Sequence, residues 1–214
     1  MTATVPSTAR RDPNRPHRLD HSRHRYIKFF KPYGVLSQFT DRQGRLSIGD
    51  YVDVPGVYAA GRLDKNSEGL ILLTDDGWLN HRLTHPQYQH PKTYLVQVEG
   101  RPSLEAIARL RHGVLVKGKM TREAEVDLLP EAPDLPPPPE PISHRQKMPT
   151  AWLRIVLREG RKRQIRHMTA AVGHPTLRLV RVAIGPITVH DLTPGEWRDL
   201  TAEELDQLRR LVTS

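Results

Sequence analysis

The polar loop at residues 61–69 constrains the fold of this chain more than any other feature. Apolar, strand-like runs lie on either side of it, at residues 57–60 and 70–74, and glycine stands at both of its ends, Gly61 and Gly69. The second run, Leu-Ile-Leu-Leu-Thr, is typical of a buried strand. The segment therefore predicts two strands joined by a polar loop.

Strands and helices are interspersed along the rest of the chain. Further strands are expected at residues 26–30, 93–98, 153–157 and 177–182. The order lacks the regular alternation of βαβ units. The sequence therefore predicts an α+β fold with a largely antiparallel sheet.

Three helices are expected from capping signals and helical spacing. The first begins after Ser103 and ends at Gly113, and the second covers residues 161–172. The third follows a capping box formed by Thr201 and Glu204. Their apolar positions are Leu104, Ile107 and Leu110; Ile165, Met168 and Val172; and Leu205, Leu208 and Leu211.

The composition limits the classes of function. The 214 residues carry a formal net charge of +9 and a pI near 10.1, so the chain either meets an anionic polymer or is basic without a specific partner. It contains no cysteine, which excludes disulfides, thiolate metal sites and cysteine nucleophiles. No apolar run approaches the roughly 20 residues of a membrane span, and the basic N-terminal residues lack the apolar stretch that is typical of a secretory signal. We therefore expect a cytoplasmic protein with no membrane partner.

Two segments are expected to lie outside the core. Residues 1–25 carry six arginines against two aspartates and predict a disordered basic tail. Residues 130–149 hold eight of the 19 prolines and predict an extended surface excursion. The remaining chain, residues 26–214, is expected to form one domain.

Candidate chemistry begins with Asp64 in the polar loop. Its neighbours Arg62 and Lys65 favour the ionised carboxylate, which can act as a nucleophile or a base. For any single aspartate, however, hydrogen bonding to the backbone of a turn is by far the commoner role, so the loop alone is weak evidence for catalysis. The loop alone leaves both interpretations open.

A basic cluster at residues 161–167 is the second candidate. Arg163 and Arg166 are three residues apart and can point the same way on a helix, which would suit phosphate binding. A solvated cationic helix is the alternative. No histidine pair has recognised metal-ligand spacing, and no phosphate-binding glycine loop is present. Tyr94 alternates with apolar residues, which on its own is typical of a core tyrosine.

Four segments carry the residues of interest: 61–70 (GRLDKNSEGL), 92–94 (KTY), 159–168 (EGRKRQIRHM) and 177–181 (LRLVR). Together they resemble the motifs of the RNA pseudouridine synthases, the family that converts uridine to pseudouridine. The likeness runs from about Tyr26 to Trp197, in the order and spacing of the family. It implies the family's fold, a central mixed sheet flanked by helices with an active-site cleft between two lobes.

The resemblance implies that Asp64 is catalytic, either attacking C1′ of the ribose or removing the 2′ proton. Arg166 matches the arginine that pairs with this aspartate, and Tyr94 the residue that stacks on uracil. Arg62 matches an arginine that fills the gap left by the flipped nucleotide. The reaction involves no net redox change or hydrolysis, so no cofactor or metal is expected. The remaining residues implied in RNA binding are Arg161, Lys162 and Arg163 at phosphates, and Ile165 and Leu179 beside the base.

Residues 31–41, 56–60 and 195–198 resemble the family members that modify 23S ribosomal RNA. The expected partner is therefore 23S rRNA, free or within an assembling large subunit, bound by a monomer. We expect no small RNA-binding domain of the S4 type before Tyr26. Alternatives are a synthase acting on 16S rRNA or transfer RNA, a non-catalytic rRNA-binding or assembly protein, and a carboxylate-pair glycosidase using Glu68 beside Asp64.

Overall fold

The computed structural model describes residues 24–138 and 149–213. Most of the predicted disordered tail and the centre of the proline-rich segment, residues 139–148, lie outside the described residues. Arg25, the last residue assigned to the tail, lies among the described residues and contacts the end of the last strand. Its guanidinium donates to both carboxylate oxygens of Asp199 at 2.9 Å.

The described chain contains both strands and helices, in the interspersed order that the sequence predicts. The strands are β1 (Tyr26–Lys31), β2 (Tyr58–Ala60), β3 (Glu68–Thr74), β4 (Lys92–Glu99), β5 (Leu115–Val116), β6 (Lys119–Met120), β7 (Glu125–Leu128), β8 (Thr150–Leu157), β9 (Thr176–Ile184), β10 (Ile187–Thr188) and β11 (Trp197–Asp199). The helices are α1 (Gly77–Thr84), α2 (Leu104–His112), α3 (Gln164–Ala171) and α4 (Ala202–Thr213).

One mixed sheet organises the described chain, in the order β11-β1-β3-β9-β4-β8-β7, with β2 paired to β3 and β10 to β9. Every pairing in it is antiparallel except that of β3 with β9. This parallel contact is short and joins Glu68 to Val180 and Gly69 to Arg181. The sheet therefore consists of two antiparallel halves joined at one point, and the predicted α+β class with a largely antiparallel sheet is confirmed.

Gly69 allows the two halves to approach each other. Its φ is +106°, and a Cβ atom at this position would lie 2.2 Å from the carbonyl oxygen of Arg181. Only a residue without a side chain fits this backbone and this distance. The junction follows directly after the polar loop, so it fixes the loop between the two halves of the sheet.

Both faces of the sheet are covered, which explains why β3 is buried along its whole length. Along β1, Ile27 and Phe29 enter one core cluster, whereas Tyr26 and Phe30 enter the other. Helices α2 and α3 supply buried residues to the first cluster, and α1 and α4 supply them to the second.

The helices differ from their predicted forms in three places. Helix α3 begins at Gln164 rather than residue 161, because Arg163 has a left-handed backbone with φ +56°. Leu104 was expected on the apolar side of α2 but is 86% exposed, since α2 turns only its later residues into the core. Helix α1, capped by the side chain of Asp76, was not predicted. The capping box of Thr201 and Glu204 is confirmed.

Candidate active site

Asp64 lies at the start of a tight turn within the polar loop. The amide of Ser67 donates to its carbonyl oxygen at 3.0 Å. The preceding residue, Leu63, is held by Ser37. The Ser37 hydroxyl donates to the carbonyl of Leu63 at 2.7 Å and accepts a hydrogen bond from the amide of Leu63 at 3.0 Å. The Asp64 side chain itself is 30% exposed. The loop therefore presents a carboxylate to solvent from a backbone that is held on both sides.

Lys31, to which the sequence assigned no role, also fixes this loop. Its side chain is fully buried, and its ammonium group donates to the carbonyls of Pro32, Val35 and Lys65 at 2.7, 2.8 and 3.4 Å. Burial lowers the pKa of Lys31 to about 7, with Glu68 opposing the shift. The ammonium thus ties the end of β1 to the turn after Asp64.

Two arginines near α3 reach the loop by different routes. Nη1 of Arg163 lies 3.9 Å from Oδ2 of Asp64 and donates to Oδ1 of Asn66 at 3.1 Å. Nη2 of Arg166 donates to the carbonyl of Asn66 at 2.7 Å, and its Nη1 to the carbonyl of Thr176 at 3.3 Å. Among the described residues, the cation within ion-pair distance of Asp64 is thus Arg163. The expected direct pairing of Arg166 with Asp64 is corrected: Arg166 contacts the backbone carbonyl of Asn66, two residues after Asp64.

The charge of Asp64 also affects the pKa of Arg166. Burial and the charge of Arg163 lower the pKa of Arg166, while Asp64 opposes the shift. Arg166 is half-buried and reaches the loop from α3, in contact with its backbone. Arg166 therefore helps to hold the loop in position.

A cleft of about 650 Å³ opens beside Asp64, between the two halves of the sheet. The loop supplies one wall, and the turn before α3 together with β4 and β9 supplies the opposite one. Nearly all of the predicted site residues meet here. Those that line the cleft are Arg62, Asp64, Tyr94, Arg161, Lys162, Arg163, Ile165 and Leu179.

The cleft combines an apolar wall with a cationic rim. Tyr94, Ile165 and Leu179 are each at most 9% exposed and also belong to the first core cluster. Tyr94 is thus both a core residue and part of the cleft wall. Arg62 is exposed at the rim. Such a wall suits a flat base, and such a rim suits phosphates.

Arg161 is less free than the sequence suggested. Its guanidinium donates to the carbonyls of Lys119 and Met120, at 3.3 and 2.6 Å, in the hairpin of β5 and β6. Its Nε lies 3.3 Å from a carboxylate oxygen of Glu159. The arrangement makes Arg161 a brace between the hairpin and the turn as well as a rim residue.

The structure argues against the glycosidase alternative, which needs a second free carboxylate beside Asp64. Glu68 is buried and accepts two hydrogen bonds from the guanidinium of Arg178, at 2.8 and 2.9 Å. The side chain is therefore committed to a bidentate pair. Arg178 also donates to the carbonyl of Pro136 at 2.9 Å, which attaches the start of the proline-rich segment to the sheet.

Within the described residues, no group of three or more histidine, aspartate or glutamate side chains is placed to hold a metal ion. No helix in the described part of the chain is both long and apolar enough to cross a membrane. Several further cleft residues were given no role by the sequence, among them His90, Lys92 and Arg181. Lys92 and Arg181 belong to the segments that resemble the family motifs, so their position in these segments could have identified them.

Comparison with known proteins gives consistent results. A family model described as RNA pseudouridylate synthase matches residues 25–171, which include the loop, Tyr94 and α3. A Vibrio parahaemolyticus protein named ribosomal large subunit pseudouridine synthase E is 49% identical, covering 87% of this chain and 78% of that protein. A Xanthomonas campestris pv. campestris protein of the same name is 54% identical, covering 78% of this chain and 91% of that protein. A solved structure described as pseudouridylate synthase has a TM-score of 0.73 at 30% identity, covering 86% of this chain and 74% of that one.

Proposed function

Because the chain belongs to the RNA pseudouridylate synthase family, we propose that it isomerises uridine to pseudouridine in 23S ribosomal RNA. One observation carries this: a carboxylate on a braced loop stands in a cleft with an apolar wall and a cationic rim. The relatives named as large-subunit synthases match most of the chain, which supports the choice of RNA.

In the proposed reaction, the N1–C1′ bond of the target uridine breaks and its electron pair leaves with uracil. The base turns, C5 bonds to C1′, a proton leaves C5 and N1 takes up a proton, so the product is an isomer. Asp64 acts at the sugar, either as the nucleophile at C1′ or as the base for the 2′ proton. Both routes require an ionised carboxylate at a fixed position.

The target atom is inaccessible in a stacked helix, so the nucleotide must be flipped into the cleft. Tyr94 stacks on the uracil, with Ile165 and Leu179 on the neighbouring wall. Arg62 fills the gap that the flipped nucleotide leaves. Arg166 keeps the loop in place through Asn66.

The cationic rim binds the RNA backbone. Lys162 and Arg163, with Arg161 as a braced partner, contact phosphates on either side of the target. We place the reaction in the cytoplasm, on free 23S rRNA or an assembling large subunit, with the chain acting as a monomer and without metal or cofactor.

Pseudouridine mapping tests the proposal. The purified chain is incubated with 23S rRNA, 16S rRNA and transfer RNA that lack pseudouridine, with and without EDTA. New pseudouridines are located by chemical modification and primer extension. A single main site in 23S rRNA, insensitive to EDTA, is expected. Modification confined to 16S rRNA or transfer RNA would overturn the choice of substrate, and no modification of any RNA would overturn the activity.

A further inference from the structure

A buried, unpartnered guanidinium nitrogen lies at the junction of the two sheet halves. Arg181 is 3% exposed and contributes to the wall of the cleft. Its Nε donates to the carbonyl of Leu70 at 2.7 Å, which fixes the guanidinium. Its Nη2 is buried and has no hydrogen-bond partner among the described residues. Buried donors in folded proteins are nearly always satisfied, so this one indicates an absent acceptor.

Lys92 adds a second cation beside it. The ammonium group donates to the carbonyl of His90 at 3.2 Å, and burial together with the charge of Arg181 lowers the pKa of Lys92 to about 8. Two more polar atoms of cleft residues, Nε2 of His90 and Oγ of Ser67, are buried without a partner in the described structure. Ser67, His90, Lys92 and Arg181 thus form a polar, cationic floor of the cleft, and several of their buried donors and acceptors lack a partner among the described residues.

The position of these groups relative to Tyr94 identifies the missing acceptor. Tyr94 and Arg181 are partners on β4 and β9, next to an irregularity in the register at Thr93, so they are neighbours across the two strands. Residues two apart on a strand share a face, which places Lys92 on the face of Tyr94 and Arg181 on that of Leu179. A base stacked on Tyr94 would present its edge to the two cations.

We propose that Arg181 and Lys92 form a cationic subsite that binds the carbonyl oxygens of uracil and stabilises the detached base as an anion. This rests on the proposed function. When the N1–C1′ bond breaks, the electron pair on N1 spreads to the carbonyl oxygens. The two cations face that charge from fixed positions. When C5 bonds to C1′, the electron pair is used in the new bond and the base becomes neutral. The later loss of the C5 proton is matched by uptake of a proton at N1.

A change of leaving group tests the subsite. Fluorine at C5 withdraws electrons and stabilises the uracil anion without help from the protein. Arg181→Gln and Lys92→Met are compared with the unaltered chain on one RNA that carries uridine or 5-fluorouridine at the target. The single-turnover loss of the N-linked nucleoside is followed by chromatography after digestion. Arg101→Gln removes an exposed charge beyond the opposite end of β4 and is the matched control.

Each subsite variant should slow the uridine reaction roughly 100-fold, the cost of removing one donor from an anion-stabilising site, with Kd changed less than about threefold. The defect should shrink at least about fivefold on 5-fluorouridine. An equal defect on both substrates, or weakened binding at an unchanged rate, which would mark a phosphate contact, overturns the proposal. If Arg181→Gln does not fold, Lys92→Met and the charge-retaining Lys92→Arg decide the question. An unaltered chain that makes no pseudouridine would contradict the proposed function itself.

Discussion

Arg166 contacts the backbone carbonyl of Asn66, whereas Arg163 bonds to the Asn66 side chain. The planar guanidinium of Arg166 reaches two carbonyls, those of Asn66 and Thr176, and lysine offers only a point charge. Arg166→Lys should therefore slow single turnover roughly 10- to 100-fold by displacing the loop, with little change in RNA affinity. Lys162→Ala should do the reverse, raising Kd while the rate at saturating enzyme stays within about twofold. Equal rates for Arg166→Lys and the unaltered chain would remove Arg166 from its positioning role.

Lys31 and Lys92 give the stability of the protein a defined pH dependence. The pKa of Lys31 falls to about 7 and that of Lys92 to about 8, whereas both groups titrate near 10.5 when the chain unfolds. Between pH 7 and 9 the unfolded chain therefore holds more protons, and stability rises with pH. The groups that face these lysines are Glu68, Asp64, Arg181 and His90.

Urea unfolding at pH 7, 8 and 9 checks this expectation. The free energy of unfolding should increase across the series, and Lys92→Met should show a smaller increase. Tyr26, whose pKa burial raises to about 12, and His90, whose pKa burial lowers, both titrate outside this range. A flat or falling series would show that the two lysines do not lose their protons in the fold.

At the scale of elements, the junction of β3 with β9 depends on one glycine. Gly69→Ala would place a methyl group against the backbone of Arg181 at a left-handed φ, and should cost about 2–4 kcal/mol of stability. Gly77→Ala is the matched control, because Gly77 begins α1 in open space and should change stability by less than about 1 kcal/mol. Similar urea midpoints for the two variants would mean that the junction tolerates a side chain.

Local signals predicted those elements whose causes are local. The cap at Ser103 and the box of Thr201 and Glu204 involve residues three apart, and both are present. The start of α3 depends instead on Arg163, whose side chain bonds to Asn66 across the cleft. The parallel contact of Gly69 with Arg181 likewise joins distant parts of the chain, so neither followed from the sequence.

At the scale of the whole molecule, the family motifs located most of the cleft but not its polar floor. The motif residues were predicted to meet around Asp64, and the fold brings nearly all of them to one cleft. The carbonyl of Leu70 fixes the Arg181 guanidinium, and the two sheet halves bury its Nη2 atom without a hydrogen-bond partner among the described residues. Such a property exists only after folding.

The basic tail belongs to the same scale, because net charge acts at a distance. Residues 1–23 hold five arginines against two aspartates. Their deletion should weaken RNA binding modestly and reduce the slope of log K against log salt by about 0.7–0.9 for each phosphate that the tail neutralises. The single-turnover rate at saturating enzyme should not change. An unchanged slope would show that the tail binds no phosphates.

The central claim is that the carboxylate of Asp64 converts uridine to pseudouridine in 23S rRNA. Tritium release from 23S rRNA labelled at C5 of uridine tests it most directly, because a proton leaves C5 only when the base is rejoined through that atom. The unaltered chain should release tritium. Asp64→Asn should release none above background while keeping its circular dichroism spectrum and its RNA affinity. Substantial tritium release by folded Asp64→Asn would contradict the account.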